Sequence, residues 1–243
     1  MTLSFDGHDL ETIGLCGEPV FNWAPFEPTL EESESVNGSH FIGQRIASAT
    51  VTFRMAIFGQ TAAARRVKLS TLANWLNVDE PKRLILPETP DWYYLAVPGS
   101  GFNIELNIDP YIFELTFTLT DPIAYGIAEK TAVVPYSGSV TITVGGTAPT
   151  YPYFSNTTVR PDQTAKTWGW QLDNNEQFVL DFGTTANRTI RADFGQRVSY
   201  VANSLKLPTL ESDWFALTPG EHTITNHLGG GNPVTLKWHE RWY

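Results

Sequence analysis

The stretch Ala47-Ser48-Ala49-Thr50-Val51-Thr52-Phe53-Arg54-Met55-Ala56-Ile57-Phe58 decides how the rest of the chain is read. Ala49, Val51, Phe53, Met55 and Ile57 fall on one side of an extended backbone, while Ser48, Thr50, Thr52 and Arg54 fall on the other. Successive side chains leave a strand on opposite faces, so this alternation predicts a half-buried β-strand. Gly59 ends it, and the period then changes. Leu69, Leu72, Trp75 and Leu76 recur at helical spacing and predict one helix over 61–77, with Arg65, Arg66 and Lys68 on its solvated face. Strand alternation returns over Ile112 to Thr120, and Asp121-Pro122 is expected to stop that strand because proline lacks a ladder donor. Working outward, Asp6-Gly7 sits between Leu3, Phe5 and Leu10, Ile13, Leu15 as a hairpin cue. Shorter β runs are expected at 83–86, 92–97 and 102–108.

The composition agrees with that pattern. Of 243 residues, 42% are hydrophobic and 13% aromatic, which excludes a disordered chain. Only 17% are charged, against ~25% for ordinary soluble domains, and 19 Gly and 16 Pro supply turns. The fold class expected is therefore mainly β, with one helix. Lys plus Arg number 16 and Asp plus Glu 26, a formal charge of −10. A chain of that sign is unsuited to wrapping nucleic acid. Cys16 is the one cysteine, so neither an internal disulfide nor a multi-cysteine metal site is expected; without a basic neighbour it reads as structural.

Charge also divides the chain. Residues 1–133 carry 17 acidic and eight basic side chains, whereas residues 134–243 carry nine and eight. A boundary is placed accordingly, giving domains 1–128 and 129–243. The second is a run of short strands at 132–136, 139–144, 153–160, 168–173, 178–182, 188–194, 214–217, 221–226 and 234–241, with turns such as Gly145-Gly146 between some of them. That spacing predicts a β-sandwich or jelly roll. Residues 18–40 differ from both. Pro19, Pro25, Pro28 and the acidic cluster Glu31, Glu32 and Glu34 argue against a strand, yet Val20, Phe21, Trp23, Phe26 and Leu30 are too apolar for a solvated linker. Two readings fit: an arm that packs on another subunit, or a loop folded over its own core.

No catalytic constellation is visible, and the chain is read as not an enzyme, with no cofactor and no metal. His222 and His227 are five apart, on neither one helical nor one strand face, and no third ligand accompanies them. No nucleophile elbow, P-loop or H-E-x-x-H occurs, and Gly99-Ser100-Gly101 joins two strand runs without opening a helix. The first residues lack the basic and apolar regions of a secretory signal, so synthesis in a cytoplasm is expected. No stretch approaches the ~18 apolar residues of a membrane span, and no membrane partner is expected. Trp168 and Trp170, two apart in the second half, share one sheet face and could stack a sugar ring or lie in the core.

The order of elements carries a resemblance. An opening hairpin leads to an aromatic-bearing arm and Val36-Asn37-Gly38, then the long strand with one helix behind it. Leu84 precedes a short strand pair, and a closing strand ends in Asp121-Pro122-Ile123-Ala124-Tyr125-Gly126. In the second half Phe178-Val179-Leu180-Asp181 precedes Arg188 to Arg191, and Trp214-Phe215-Ala216-Leu217-Thr218-Pro219-Gly220 turns into the strand 221–225. Across essentially its whole length the chain resembles the distal tail protein (Dit) family of long-tailed bacteriophages.

The resemblance implies a sandwich- or barrel-like first domain and a galectin-like second one. It further implies a homohexameric ring at the virion tail tip, a baseplate hub between the tail-tube protein and a tail-associated or fibre protein. DNA would pass through its central channel, and the second domains would face receptor-binding proteins or host cell-wall saccharide. The arm (Val20, Phe21, Trp23, Phe26, Leu30) would then strap a neighbouring subunit, and acidic residues of the first half would line the channel. The rival from a different class is a carbohydrate-binding adhesin acting through the second domain, with Trp168 and Trp170 as its stacking surface.

Overall fold

The structure, a computed structural model, describes residues 2–22, 26–32, 37–99, 101, 103–104, 108–135, 138–228 and 233–243, with backbone alone at 155, 156, 227 and 228. It is mostly strand, with one α-helix among the described residues. By its internal contacts the chain divides into two units, 1–124 and 125–243.

The first unit holds β1 (Ser4–Phe5), β2 (His8–Asp9), β3 (Leu15–Cys16), β4 (Val20–Asn22), β5 (Phe26–Glu32), β6 (Ser39–Ile46), β7 (Ala49–Ile57), α1 (Ala62–Trp75), β8 (Lys82–Ile85), β9 (Trp92–Pro98) and the first part of β10 (Tyr111–Val134). The hairpin cue at Asp6-Gly7 is a true turn, both residues taking positive φ between β1 and β2. Strand β7 is where the alternation places it, and its exposure pattern alternates throughout. It lies antiparallel to β10 in a register that sets Val51 opposite Phe117, Phe53 opposite Leu115 and Met55 opposite Phe113, all buried. On the outer face of the same pair Thr52 and Thr116 share a hydroxyl hydrogen bond of 2.9 Å. The ring of Phe117 packs on Phe5 at 4.8 Å and Phe53 at 6.2 Å, tying β1 to the β7–β10 pair.

Three expectations for this unit need correction. Asp121-Pro122 does not end the strand, which continues as β10 to Val134 and so takes in the start of the run expected at 132–136, whose residue 136 lies outside the described residues. A missing N–H costs a strand only where the ladder needs that donor; here Asp121 Oδ1 accepts the Ile123 N–H at 3.0 Å. Arg65 is not on a solvated face. It is buried, donates to the Gly59 carbonyl at 2.9 Å, pairs with Asp109 at 3.0 Å and stacks over Tyr111 at 4.9 Å. The helix itself starts at a Thr61 cap whose hydroxyl accepts the Ala64 N–H at 3.1 Å, and beyond Arg65 it buries only Leu72. Of the strand expected at 102–108, residues 102 and 105–107 lie outside the described residues, and 103, 104 and 108 carry no strand.

The second unit continues from β10 with β11 (Gly138–Val144), β12 (Tyr153–Val159), β13 (Thr167–Leu172), β14 (Gln177–Asp181), β15 (Arg188–Asp193), β16 (Val198–Val201), β17 (Ser204–Leu205), β18 (Gly220–Leu228) and β19 (Val234–Trp242). One sheet runs β11-β18-β13-β14; facing it, strands follow in the order β17-β16-β15-β12-β19-β10. Between them lies one core in which Phe154, Trp168, Trp170, Phe178, Ile190, Leu236 and Trp238 are buried. This is the sandwich the strand spacing predicts. The run expected at 214–217 is no strand; it contributes a single bridge, Thr150 to Leu217. Gly146 has φ +90, and a Cβ there would run into the Arg241 carbonyl, so only glycine fits between that loop and β19.

Candidate functional site

Residues 18–40 are where an unusual surface was expected, and among the described residues of this stretch 20–22, 26–32 and 39–40 are strand rather than loop. Val20, Phe21 and Asn22 form β4, paired with Thr52, Val51 and Thr50 of β7. Phe21 turns inward enough to meet the Tyr94 ring at 6.0 Å, whereas Val20 is 68% exposed. Trp23 lies outside the described residues. From Phe26 onward the chain forms a hairpin, β5 against β6, that hydrogen-bonds to no other strand among the described residues. The expected arm is therefore longer than supposed, its returning strand reaching Ile46.

The register sorts the hairpin into two faces. Phe26 opposes Ile46, Pro28 opposes Gln44 and Leu30 opposes Phe41, placing four large apolar groups on one side. Glu27 opposes Arg45 and Glu31 opposes His40 on the other, and Arg45 Nε donates to Glu27 Oε2 at 2.8 Å. A bulge between Thr29 and Leu30 lets Ile42 pass without a partner, which breaks the period-two signal of β6. On that apolar side Leu30 and Phe41 are 55% and 63% exposed, and neither belongs to the buried core of the described residues. A two-stranded sheet is marginal in water on its own, so such a face is suited to burial against another protein surface.

Charge surrounds this unit in a consistent sense. Asp6, Asp79 and Glu80 crowd Lys82, whose ammonium donates to Glu80 at 2.7 Å and whose pKa is raised, chiefly by that hydrogen bond. Cys16 is half-buried, and burial first, then Glu11 and Asp9, push its thiol up to about 11. It is a structural thiol, with little thiolate at neutral pH.

The other expected aromatic site does not form. Trp168 and Trp170 are 1% and 0% exposed, packed edge-on against each other at 5.2 Å and against Phe154 at 5.7 and 4.7 Å. Both point from β13 into the space between the sheets, where no sugar ring can reach an indole face. The intervening Gly169 presses on the Phe178 carbonyl, where a Cβ would collide. The two tryptophans are core.

The histidines are likewise dispersed. His8 stacks on Trp75 at 4.5 Å, His239 faces the Gly126 carbonyl at 2.8 Å, and His222 lies between the Thr218 carbonyl at 2.8 Å and Asp173 at 3.4 Å. Among the described residues no cluster of three metal-ligating side chains occurs, and no helix is long and apolar enough to cross a membrane.

Two family descriptions match this chain. Residues 6–119 match the phage tail protein RIFT-related domain, and residues 145–242 match the siphovirus-type tail component, C-terminal domain. No curated protein matches. Among solved structures, the chain is similar to the SPP1 Dit protein, described as a paradigm of the hub adsorption apparatus in phages infecting Gram-positive bacteria. That likeness has a TM-score of 0.76 at 19% identity over 100% of this chain and 99% of that one. It is also similar to a chain of the phage P2 baseplate in its activated conformation with calcium, at TM-score 0.51 and 11% identity, covering 96% and 92%.

Proposed function

The chain belongs to the siphovirus distal tail protein family, a structural component of the phage tail, and from that premise we propose that it forms the ring-shaped hub of the tail tip. The observation that carries the proposal is the hairpin β5–β6. An apolar sheet face whose Leu30 and Phe41 stay more than half exposed, on a unit otherwise well packed, is suited to an external surface, and the surface present in every assembly of this chain is its own copy. A head-to-tail contact of that kind closes into a ring when the rotation is right, and the family points to a hexamer. The hub would join the tail tube to the tail-associated or fibre protein. Its second units would remain available to receptor-binding components, and it would act without enzymatic chemistry.

Charge supports the same reading. With 17 acidic against eight basic side chains in residues 1–133, a ring built from first units would repel phosphate and let DNA pass without adhering. A reconstruction that maps these carboxylates to the outer rim would overturn the channel.

Light scattering and negative-stain microscopy of the purified chain test the ring. Annuli are expected, and the pair Leu30→Asp with Phe41→Asp is expected to leave soluble, folded single chains. Annuli that persist in the double variant remove the hairpin from the interface. A wild-type chain that stays solitary at high concentration removes the ring.

A further inference from the structure

The second unit leaves a long strand edge open. Strand β11 ends its sheet, paired along its whole length with β18 and with no other strand among the described residues. Other edges of the sandwich are guarded. Along β14, Val179 donates its N–H to Ser212 Oγ at 2.9 Å and accepts the Thr209 N–H at 2.9 Å, while the Gln177 carbonyl accepts the Asp213 N–H at 2.7 Å. Edge strand β17 is two residues long and runs straight into Lys206. Covering loops, short edges and lysines are the ordinary means by which a sheet avoids adding a strand. β11 uses none of them. Gly138-Ser139-Val140-Thr141-Ile142-Thr143-Val144 carries no charge and no proline, meets β18 without a bulge, and is rich in β-branched residues.

The two faces of β11 set what can pair with it. Val140, Ile142 and Val144 face the core, where Ile142 and Val144 are buried and Val140, nearer the strand's start, is covered only in part. Ser139, Thr141 and Thr143 are exposed on the outer face, and the Thr141 hydroxyl lies 3.2 Å from that of Thr223 on β18. An added strand must therefore offer apolar groups inward and hydroxyls outward, with no charge on either side.

β11 itself meets those demands. Laid antiparallel on a second copy with Thr141 opposite Thr141, it sets Val140 opposite Ile142, Ser139 opposite Thr143 and Gly138 opposite Val144. Apolar groups then face apolar groups, hydroxyls face hydroxyls, and every residue of the strand is paired. We infer that β11 is a self-pairing edge, through which two copies of the chain join their four-stranded sheets about a two-fold axis at Thr141. This isologous contact is distinct from the head-to-tail contact of the ring and does not depend on it. A seven-residue strand on each side falls short of the ~1,200 Å² of stable interfaces, so dilute chains stay single and pairing needs roughly millimolar chain.

Cysteine trapping on the full chain tests it, because a covalent bond captures a weak pair. The background carries Cys16→Ser together with Leu30→Asp and Phe41→Asp, so that hairpin contacts play no part. Oxidised glutathione takes up the two electrons and two protons released as each pair of thiols joins. Thr141→Cys should give covalent dimers at least about tenfold faster than Ser139→Cys or Thr143→Cys alone. Only residue 141 meets its own copy at the ~5 Å Cα separation that a disulfide accepts; residue 139 lies about 13 Å along the strand from its copy. Mixing the Ser139→Cys and Thr143→Cys chains should restore the fast rate, and adding Thr141→Lys to both should slow it again, since like charges then stand opposite each other. All three positions are exposed, so these replacements leave the fold intact. The same ranking is expected with the hairpin unchanged, which separates this outcome from that of the ring. Equal rates for the three single-cysteine chains, no gain on mixing, or a mixture indifferent to Thr141→Lys overturns the assignment, as would pairing of this edge with a different strand.

Discussion

Strands β13 and β5 look alike on paper, each a short run with two or three large apolar groups on alternate positions, and they end in opposite situations. The Trp168–Trp170 side of β13 closes against Phe154, while on the apolar side of the β5–β6 hairpin Leu30 and Phe41 stay more than half exposed. What separates them is the number of layers available. β13 lies in a four-stranded sheet with a second sheet across the core, whereas β5 has only β6. An apolar face declares that burial is needed; it does not say whose surface provides it. Substitutions on the two faces should therefore behave differently in stability and in assembly.

Truncation on the covered face should have the largest effect. Trp170 is fully buried against two rings, so Trp170→Ala should cost about 3–5 kcal/mol in denaturant unfolding. Trp170→Phe should recover more than half of that, because the indole N–H has no hydrogen-bond partner among the described residues and its removal breaks no such bond. A loss under about 1 kcal/mol would mean the indole is not core. Next comes Gly146→Ala, where a positive φ and a collision with the Arg241 carbonyl should together cost roughly 1–3 kcal/mol without changing binding to any partner. Alanine tolerated there within about 0.5 kcal/mol would show that the loop relaxes freely.

How far each region was legible follows from the same contrast. β7 and β10 were readable because both lie half-buried in a regular register, so period two survives in the residues. The hairpin was not, for two reasons. The bulge at Ile42 shifts the phase within β6, and Pro28 with the acidic residues of β5 reads as a breaker in a strand whose outer edge needs no donor at that position. Strands β16 and β17 are four and two residues long, too short for any period to show. The Trp168–Trp170 pair shows the limit of spacing from the opposite side, since two residues apart fixes a shared face and leaves open which face that is.

A smaller effect separates the units by pH. The Glu129 carboxyl is held below its ordinary value, first by the Lys237 hydrogen bond and then by that of Tyr153. A carboxylate with a lowered folded value contributes stability that is present above the ordinary carboxylate range and lost as pH falls through the folded value. Glu129→Gln should therefore be less stable than the parent at pH 7 by no more than about 1 kcal/mol, as a partly exposed pair allows. The two curves should converge at strongly acidic pH. A gap that widens on acidification would reverse the sign and exclude the pair as its source.

The smallest expected change falls on the uncovered face, and its smallness is what distinguishes it. Leu30→Ser and Phe41→Ser each remove a large apolar group, yet in dilute solution neither should shift unfolding by more than about 0.5 kcal/mol, because both residues remain in water when the chain is alone. Concentration supplies the second axis. If copies bury this face against one another, the parent's thermal midpoint must rise with protein concentration, as mass action requires of any equilibrium that binds only the folded form. The serine variants should lose that rise while keeping the dilute midpoint. A large dilute-solution loss would put the hairpin back on its own unit; a parent midpoint indifferent to concentration would leave the face without its partner.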